Sequence, residues 1–205
     1  MPNDDTYSIP AATHRVEQEI KRSRFIATLG RADGAEEAVS FIAGIRAEFP
    51  DAGHHCWAYV AGPPGNTLAV GMSDDGEPHG TAGRPMLSVL QQNSIGEIVA
   101  VVTRYWGGTK LGAGGLVRAY SGSVALALAH LPVMDRITRM PVRIQLAYHL
   151  ENPVRHLLGE LSLDVGTVEY RDLVMIQLSV PTGQMDTLAE RIQEVTAGAV
   201  NLEQV

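Results

Sequence analysis

Two stretches of this chain concentrate residue types that can do chemistry. In VTRYWGGTKLGAGGLVRAY, residues 102–120, the glycines Gly107, Gly108, Gly112, Gly114 and Gly115 sit among the cations Arg104, Lys110 and Arg118 and the aromatics Tyr105 and Trp106. A buried apolar strand that runs through glycines into a helix turns backbone N–H groups and the positive end of a helix dipole toward one point. Without side chains in the way, an anion can approach closely. The segment lacks the Gly-Lys-Ser/Thr ending of a Walker loop, and it lacks the parallel βαβ context and later acid of a dinucleotide fingerprint, so ATP or NAD chemistry is not indicated and no cofactor is expected. The same glycines have a plainer reading, a tight strand-to-helix crossing with close packing.

The second stretch is SDDGEPHGTAGRP, residues 73–85, with Asp74, Asp75, Glu77 and His79. Neighbouring carboxylates gather oxygen ligands for a hard cation or raise one another's proton affinity, as a general base requires. The spacing fits no calcium loop, and an Asp-Gly turn with solvated acids accounts for it equally well. Gly80, Thr81, Gly83 and Arg84 can place amides at a helix start, a second anion niche beside the first. The His54-His55-Cys56 run invites a zinc or nucleophile reading. In a strand, however, His54 and Cys56 share one face and His55 the other, and Cys56 is the only cysteine, so neither a metal nor a disulfide is expected.

The elements around these stretches follow from hydrophobic spacing. VEQEIKRSRFIATL reads as two short strands about a charged turn. ADGAEEAVSFIAGIRAEFP reads as a helix with Asp33 as its N-cap, and HHCWAYVAG and NTLAVGMS as a strand pair. PMLSVLQQN forms a short helix, EIVAVVTRYW a strand buried on both faces, and LVRAYSGSVALALAHL a helix that ends at Pro132. Residues 133–139 read as a linker. Beyond it, PVRIQLAYHL, NPVRHLLGEL with Asn152 as N-cap, LDVGTVEY, LVMIQLSV, PTGQMDTLAERIQEV and GAVNLEQV alternate as strand-helix-strand-strand-helix-strand, the ferredoxin-like order. The expectation is an α+β chain of two domains, residues 1–135 and 136–205.

Composition narrows the function classes. The 205 residues carry 16 Lys and Arg against 23 Asp and Glu, a formal charge of −7, so any polyanion site must be local. Residues 141–205 hold four Arg against nine acids, whereas residues 81–120 hold Arg84, Arg104, Lys110 and Arg118 against Glu97 alone. With one cysteine, no secretory pattern in MPNDDTYSIP and no long apolar span, a reducing cytoplasm without membrane attachment is the expected setting.

SDDGEPHGTAGRPML together with VVTRYWGGTKLGAGGLVRAY resembles the signature of the YigZ/IMPACT family, and HHCWAYV and IKRSRFIA fit it as well. The likeness spans nearly the whole chain. Its motif positions are Asp74, Asp75, Gly76, Glu77, Gly80, Thr81, Gly83, Arg104, Tyr105, Gly107, Gly108, Gly112, Gly114, Gly115 and Tyr120. The resemblance implies a first domain similar to domain IV of elongation factor G and to a ribosomal-protein fold, followed by a ferredoxin-like domain similar to domain V. Eukaryotic relatives act in translational control by restraining a kinase, beside a further domain that this chain lacks. For two-domain members the resemblance implies a role with nucleic acid or the ribosome, and it carries no catalytic residue.

Three functions are therefore set against the structure. The first is a non-catalytic protein that binds RNA or ribosome-associated factors through the cationic glycine segment. The second is an enzyme for a small phosphorylated or carboxylated substrate, which requires the acidic loop to meet that segment. The third is a scaffold for a protein partner.

Overall fold

The computed structural model describes residues 6–204. They divide into two compact units, Tyr7–Arg136 and a second from Ile137 onward.

The first unit is built on a five-stranded sheet. In chain order its elements are β1 (Thr6–Pro10), β2 (His14–Ile20), β3 (Ser23–Arg31), α1 (Ala35–Glu48), β4 (His54–Val60), β5 (Val70–Ser73), α2 (Gly83–Gln91), β6 (Ile98–Tyr105), α3 (Ala113–Leu128) and β7 (Val133–Ile137). The sheet order is β2-β3-β6-β4-β5, and each pair of neighbours is antiparallel. β6 is central and buried from Ile98 to Arg104, as its unbroken apolar run demands.

Alternation along the strands sorts their side chains to two faces. Phe25, Ala27, Leu29, Cys56, Ala58, Val60, Ile98, Ala100 and Val102 point toward α2 and α3. Val99 and Val101 point toward Ala38, Ile42 and Ile45 of α1. α3 buries Leu116, Ala119, Tyr120, Ser123, Val124 and Ala127, an i, i+3, i+4, i+7 stripe. The result is three layers, with the sheet between α1 and the α2–α3 pair.

Three local expectations change. Residues 133–137 are not linker but strand β7, which pairs with β1. This ribbon is tied to the sheet by Glu97, a buried carboxylate that accepts hydrogen bonds from Tyr7 Oη (2.7 Å) and Arg31 Nε (2.8 Å) and forms an ion pair with Arg136, whose Nε is 2.9 Å away. Burial, with Glu97 beside it, pushes the Tyr7 phenol up to about 12. Asp33 does not cap α1; Gly34 holds that position, and the Asp33 carboxylate faces Arg31 and Arg136 instead. Asn152 lies inside its helix rather than at its cap, because a 3-10 turn at Tyr148–Leu150 leads in and the helix begins at Glu151.

The second unit contains β8 (Arg139–Leu146), α4 (Glu151–Glu160), β9 (Val165–Tyr170), β10 (Val174–Pro181), α5 (Met185–Thr196) and β11 (Asn201–Gln204). Its sheet runs β11-β8-β10-β9, the first and third strands of the unit in the middle, as the split βαβ arrangement requires. Val142, Ile144, Leu146, Val174, Ile176 and Leu178 bury against Val154, Leu157, Leu158, Leu188 and Ile192 of the helices. The chain is thus α+β in two units, as its segment pattern indicates.

Candidate functional site

The acidic loop leaves β5 at Ser73 and enters α2 at Gly83, and each of its carboxylates has a structural partner. Asp74 Oδ2 accepts the Gly80 N–H (2.7 Å), and its Oδ1 accepts those of Ala82 (3.0 Å) and Gly83 (2.9 Å). Burial alone would push this carboxyl up, but the three backbone donors outweigh it and hold Asp74 below the usual carboxylate range. The second anion niche expected at Gly80, Thr81, Gly83 and Arg84 is therefore closed, because the chain's own carboxylate takes the amides at the start of α2. Asp75 Oδ2 accepts the His55 N–H (2.6 Å), while its Oδ1 pairs with Arg46. The Asp75 carbonyl lies 2.8 Å from His54 Nδ1. A carbonyl only accepts, so this nitrogen carries the His54 proton.

Glu77 is the member of the loop that reaches the glycine segment. It is 8% exposed and accepts from Arg104 Nη1 (2.6 Å) and Tyr120 Oη (2.7 Å). Arg104 is itself 5% exposed. Its Nη2 donates to Ser23 Oγ (3.2 Å), its guanidinium lies 5.4 Å from the centre of the Phe25 ring, and its buried Nε–H has no partner among the described residues. The Gly107 N–H also donates to Ser23 Oγ (3.2 Å). One buried network thus joins the acidic loop, β3, β6, α3 and the first residue of the glycine turn. Arg104 consequently stands as an internal brace rather than the free surface cation that its motif suggested.

The rest of the glycine segment is at the surface. Tyr105 donates to Asp51 Oδ1 (2.8 Å) beneath the Arg24 guanidinium, whereas the Trp106 indole is 65% exposed. Gly107 is demanded by packing: a Cβ there would lie 1.8 Å from the Arg22 carbonyl oxygen. That close approach lays Arg22, in the β2–β3 turn, against Gly107. Gly112 is the N-cap of α3 with φ 74°, a conformation that favours glycine, and no side chain caps the helix there. Gly114 and Gly115 follow within the first turn of α3. Lys21, Arg22, Arg84, Lys110 and Arg118 are exposed and form no salt bridge among the described residues.

Between the two motifs lies an open cavity of about 380 Å³, bounded by His54, Glu77, Arg104, Trp106, Lys110 and Gly112. His54 Nε2 is 4.0 Å from Glu77 Oε1 at its inner wall. Arg84 and the fully exposed His79 belong instead to a separate depression beside Asp74. Cys56 faces the core and donates to the Asp74 carbonyl (2.9 Å), and burial pushes its thiol up to about 12, which removes a nucleophilic role. His55 faces the opposite side, with Nε2 3.0 Å from the Phe49 carbonyl. No three His, Cys, Asp or Glu side chains among the described residues converge to hold a metal.

Comparison with known proteins places this geometry in a family. Residues 21–128 match the Impact N-terminal domain, and residues 144–199 match a domain of unknown function. The chain belongs to the IMPACT family. Both motifs, the cavity between them and the network beneath lie within the matched IMPACT domain. The chain is 41% identical to the IMPACT family member YigZ of Escherichia coli over 198 residues, covering 97% of each chain. It is 37% identical to the IMPACT family member YvyE of Bacillus subtilis over 185 residues, 90% of this chain and 84% of that one. A solved structure titled as a crystal structure of a hypothetical protein superimposes with a TM-score of 0.76 at 40% identity, covering 98% of each chain.

The sequence pointed to Glu77, Arg104 and Lys110 but not to Ser23 or to the role of His54. Ser23 lies 81 residues from Arg104, and no local pattern links them.

Proposed function

We propose that this IMPACT-family chain is a non-catalytic binding protein whose first unit grips single-stranded RNA at the start of α3. The observation that carries this reading is Trp106, an exposed indole that bounds the cavity with Lys110 and precedes Gly107, against which the Arg22 backbone packs; Lys21, Arg22, Lys110 and Arg118 are exposed and form no salt bridge among the described residues. Exposed aromatics stack bases whatever their identity, and lysine and arginine around them follow the phosphates. With a formal charge of −7 on the whole chain, such binding depends on this local cluster.

Titration of a fluorescent single-stranded RNA against the intact protein over a range of salt tests it. Four phosphate contacts give a slope of about −3 in log K against log salt. Arg22→Glu and Lys110→Glu should each remove one contact or more, and Trp106→Ala should cost about 1–3 kcal/mol. Negligible affinity at low salt, or charge reversals without effect, would overturn the proposal. Arg104 is a poor probe, because replacing it strands Glu77.

The enzyme reading retains one supporting observation: the acidic loop and the glycine segment do meet, at Glu77 and Arg104. Yet Asp74, Asp75 and Glu77 are committed to structural bonds, which leaves His54 Nε2 as the proton acceptor at the cavity wall. Turnover of a phosphorylated substrate that is abolished by His54→Gln would favour this alternative. A scaffold for a protein partner shares the surface, and a pull-down in which Trp106→Ala removes the same protein reproducibly would favour it.

A further inference from the structure

The bonds that hold Glu77 use one of its two oxygens. Arg104 Nη1 and Tyr120 Oη both donate to Oε1 (2.6 and 2.7 Å), whereas no described group donates to Oε2, which is not closed off from solvent. The Glu77 side chain is 4% exposed and lines the cavity, so the cavity is where this oxygen can meet a donor. A carboxylate oxygen so deep in the protein costs free energy until a donor reaches it. A second acceptor stands beside it. The His54 proton is on Nδ1, held by the Asp75 carbonyl, so Nε2 presents its lone pair at the cavity wall, 4.0 Å from Glu77 Oε1. The inner wall therefore suits a ligand with two adjacent donors.

The rest of the cavity limits what that ligand is. Pro78, Leu111 and Leu116 make the remaining wall apolar, and the exposed Trp106 indole stands at its edge, which suits the faces of a flat ring. Arg104 already offsets the charge of Glu77, and the exposed Lys110 adds a further cation. A cationic donor such as an arginine side chain is thus repelled, and a neutral one is favoured. Lys110 also brings a donor of its own. Of the four RNA bases, guanine alone carries two donors side by side, N1–H and the N2 amine, next to an acceptor, O6, on one edge. Adenine and cytosine offer one donor group beside an acceptor, and uracil one donor between two acceptors. The cavity's 380 Å³ lies within the range of about 300–1,000 Å³ usual for small-molecule sites.

We infer that this cavity is a guanine pocket: the base stacks on Trp106, its N1–H and N2 amine donate to Glu77 Oε2 and His54 Nε2, and Lys110 donates to O6. The inference rests on the nucleic-acid reading and adds base specificity to it. The guanine is that of a single-stranded RNA or of a free nucleoside, and the experiment separates the two.

The test titrates the intact protein with a fluorescent uridine-rich RNA that carries one guanosine, and with the same RNA carrying inosine, adenosine or cytidine in its place. Calorimetry with free guanosine runs beside it. The guanosine RNA should bind about tenfold more tightly than the adenosine or cytidine RNA, the discrimination usual for a well-placed pair of hydrogen bonds. Inosine keeps N1–H and O6 but lacks the N2 amine, so its RNA should fall between. Glu77→Gln must leave its carbonyl with Arg104 and Tyr120, which turns an amide donor into the cavity, so the guanosine preference should vanish. His54→Ala, outside the buried network, should narrow that preference several-fold. Each variant is read as a ratio of two RNAs on the same protein, so a partial loss of folded protein cancels. RNA binding that ignores the base, or a guanosine preference unchanged in both variants, overturns the guanine inference and leaves the RNA reading intact. Binding of guanosine without any RNA binding sustains the pocket while the RNA reading falls. No binding of RNA at low salt and none of guanosine at millimolar concentration overturns both.

Discussion

Replacing Glu77 with alanine in the intact chain should destabilise the first unit by about 4 kcal/mol, because the change strands a buried cation. The magnitude comes from the surroundings. Arg104 is 5% exposed and Tyr120 fully buried, and both donate to the same Glu77 oxygen. Removing one member of a buried ion pair costs about 3–5 kcal/mol, and an orphaned buried hydroxyl adds about 1–3 kcal/mol before relaxation. Glu77→Gln keeps an acceptor for both donors and loses only the charge, so its cost should be about 2 kcal/mol. The double variant Glu77→Gln/Arg104→Met should be less destabilised than the sum of its singles by about 2 kcal/mol, since neither charge is then left alone. The assay is simple because both tryptophans, Trp57 and Trp106, lie in the unit Tyr7–Arg136, so urea unfolding followed by indole fluorescence reports that unit alone. With a urea slope of about 1–3 kcal/mol/M, the midpoint for Glu77→Ala should fall by more than about 1 M. Additive singles, each costing under about 1 kcal/mol, would refute the picture of a buried brace.

Other expectations follow from single contacts. Gly107→Ala drives a Cβ into the Arg22 carbonyl and should cost about 2–3 kcal/mol in the same fluorescence assay, since one of two backbones must move. Cys56, with its thiol pushed up to about 12, should resist alkylation in the native protein at pH 8 and react only as fast as the unit opens in denaturant. Because the folded Asp74 carboxyl sits below its ordinary value of 3.8, its contribution to stability is complete above that pH and is lost as the pH falls further. Asp74→Asn should therefore flatten the acid limb of the stability profile and lower stability at neutral pH by about 1 kcal/mol, as the loss of a helix cap does.

Much of the fold could be read from periodicity because its elements bury clean stripes. β6 reads as a strand covered on both sides since seven consecutive residues, Ile98–Arg104, are buried, and the stripe of α3 is regular from Leu116 to Ala127. The β1–β7 ribbon was illegible. Its short, exposed β7 looks like linker, and what makes it a strand is β1, more than 120 residues earlier in the chain, locked through Glu97. The site was legible in composition and not in role. Arg104 and Lys110 look equivalent as letters, yet β6 carries the first into the core while the turn leaves the second in solvent. Likewise the acids of residues 74–77 read as a solvated cluster, because the amides and the guanidinium that consume them come from the start of α2, from β4 and from β6.

The central place of β6 also governs how the first unit is assembled during synthesis. Both neighbours of β6 in the sheet, β3 and β4, precede it in the chain, and β4 joins the sheet only when β6 has paired with both of them. A nascent chain therefore carries the β2–β3 hairpin, α1 and the β4–β5 pair as separate pieces with unsatisfied edges until residue 105 has emerged. Such non-local pairing folds slowly and leaves strand edges open to other chains. Truncations or translational pauses before Tyr105 should thus favour aggregation, whereas a pause after Leu128 lets the sheet and its α3 cover close together.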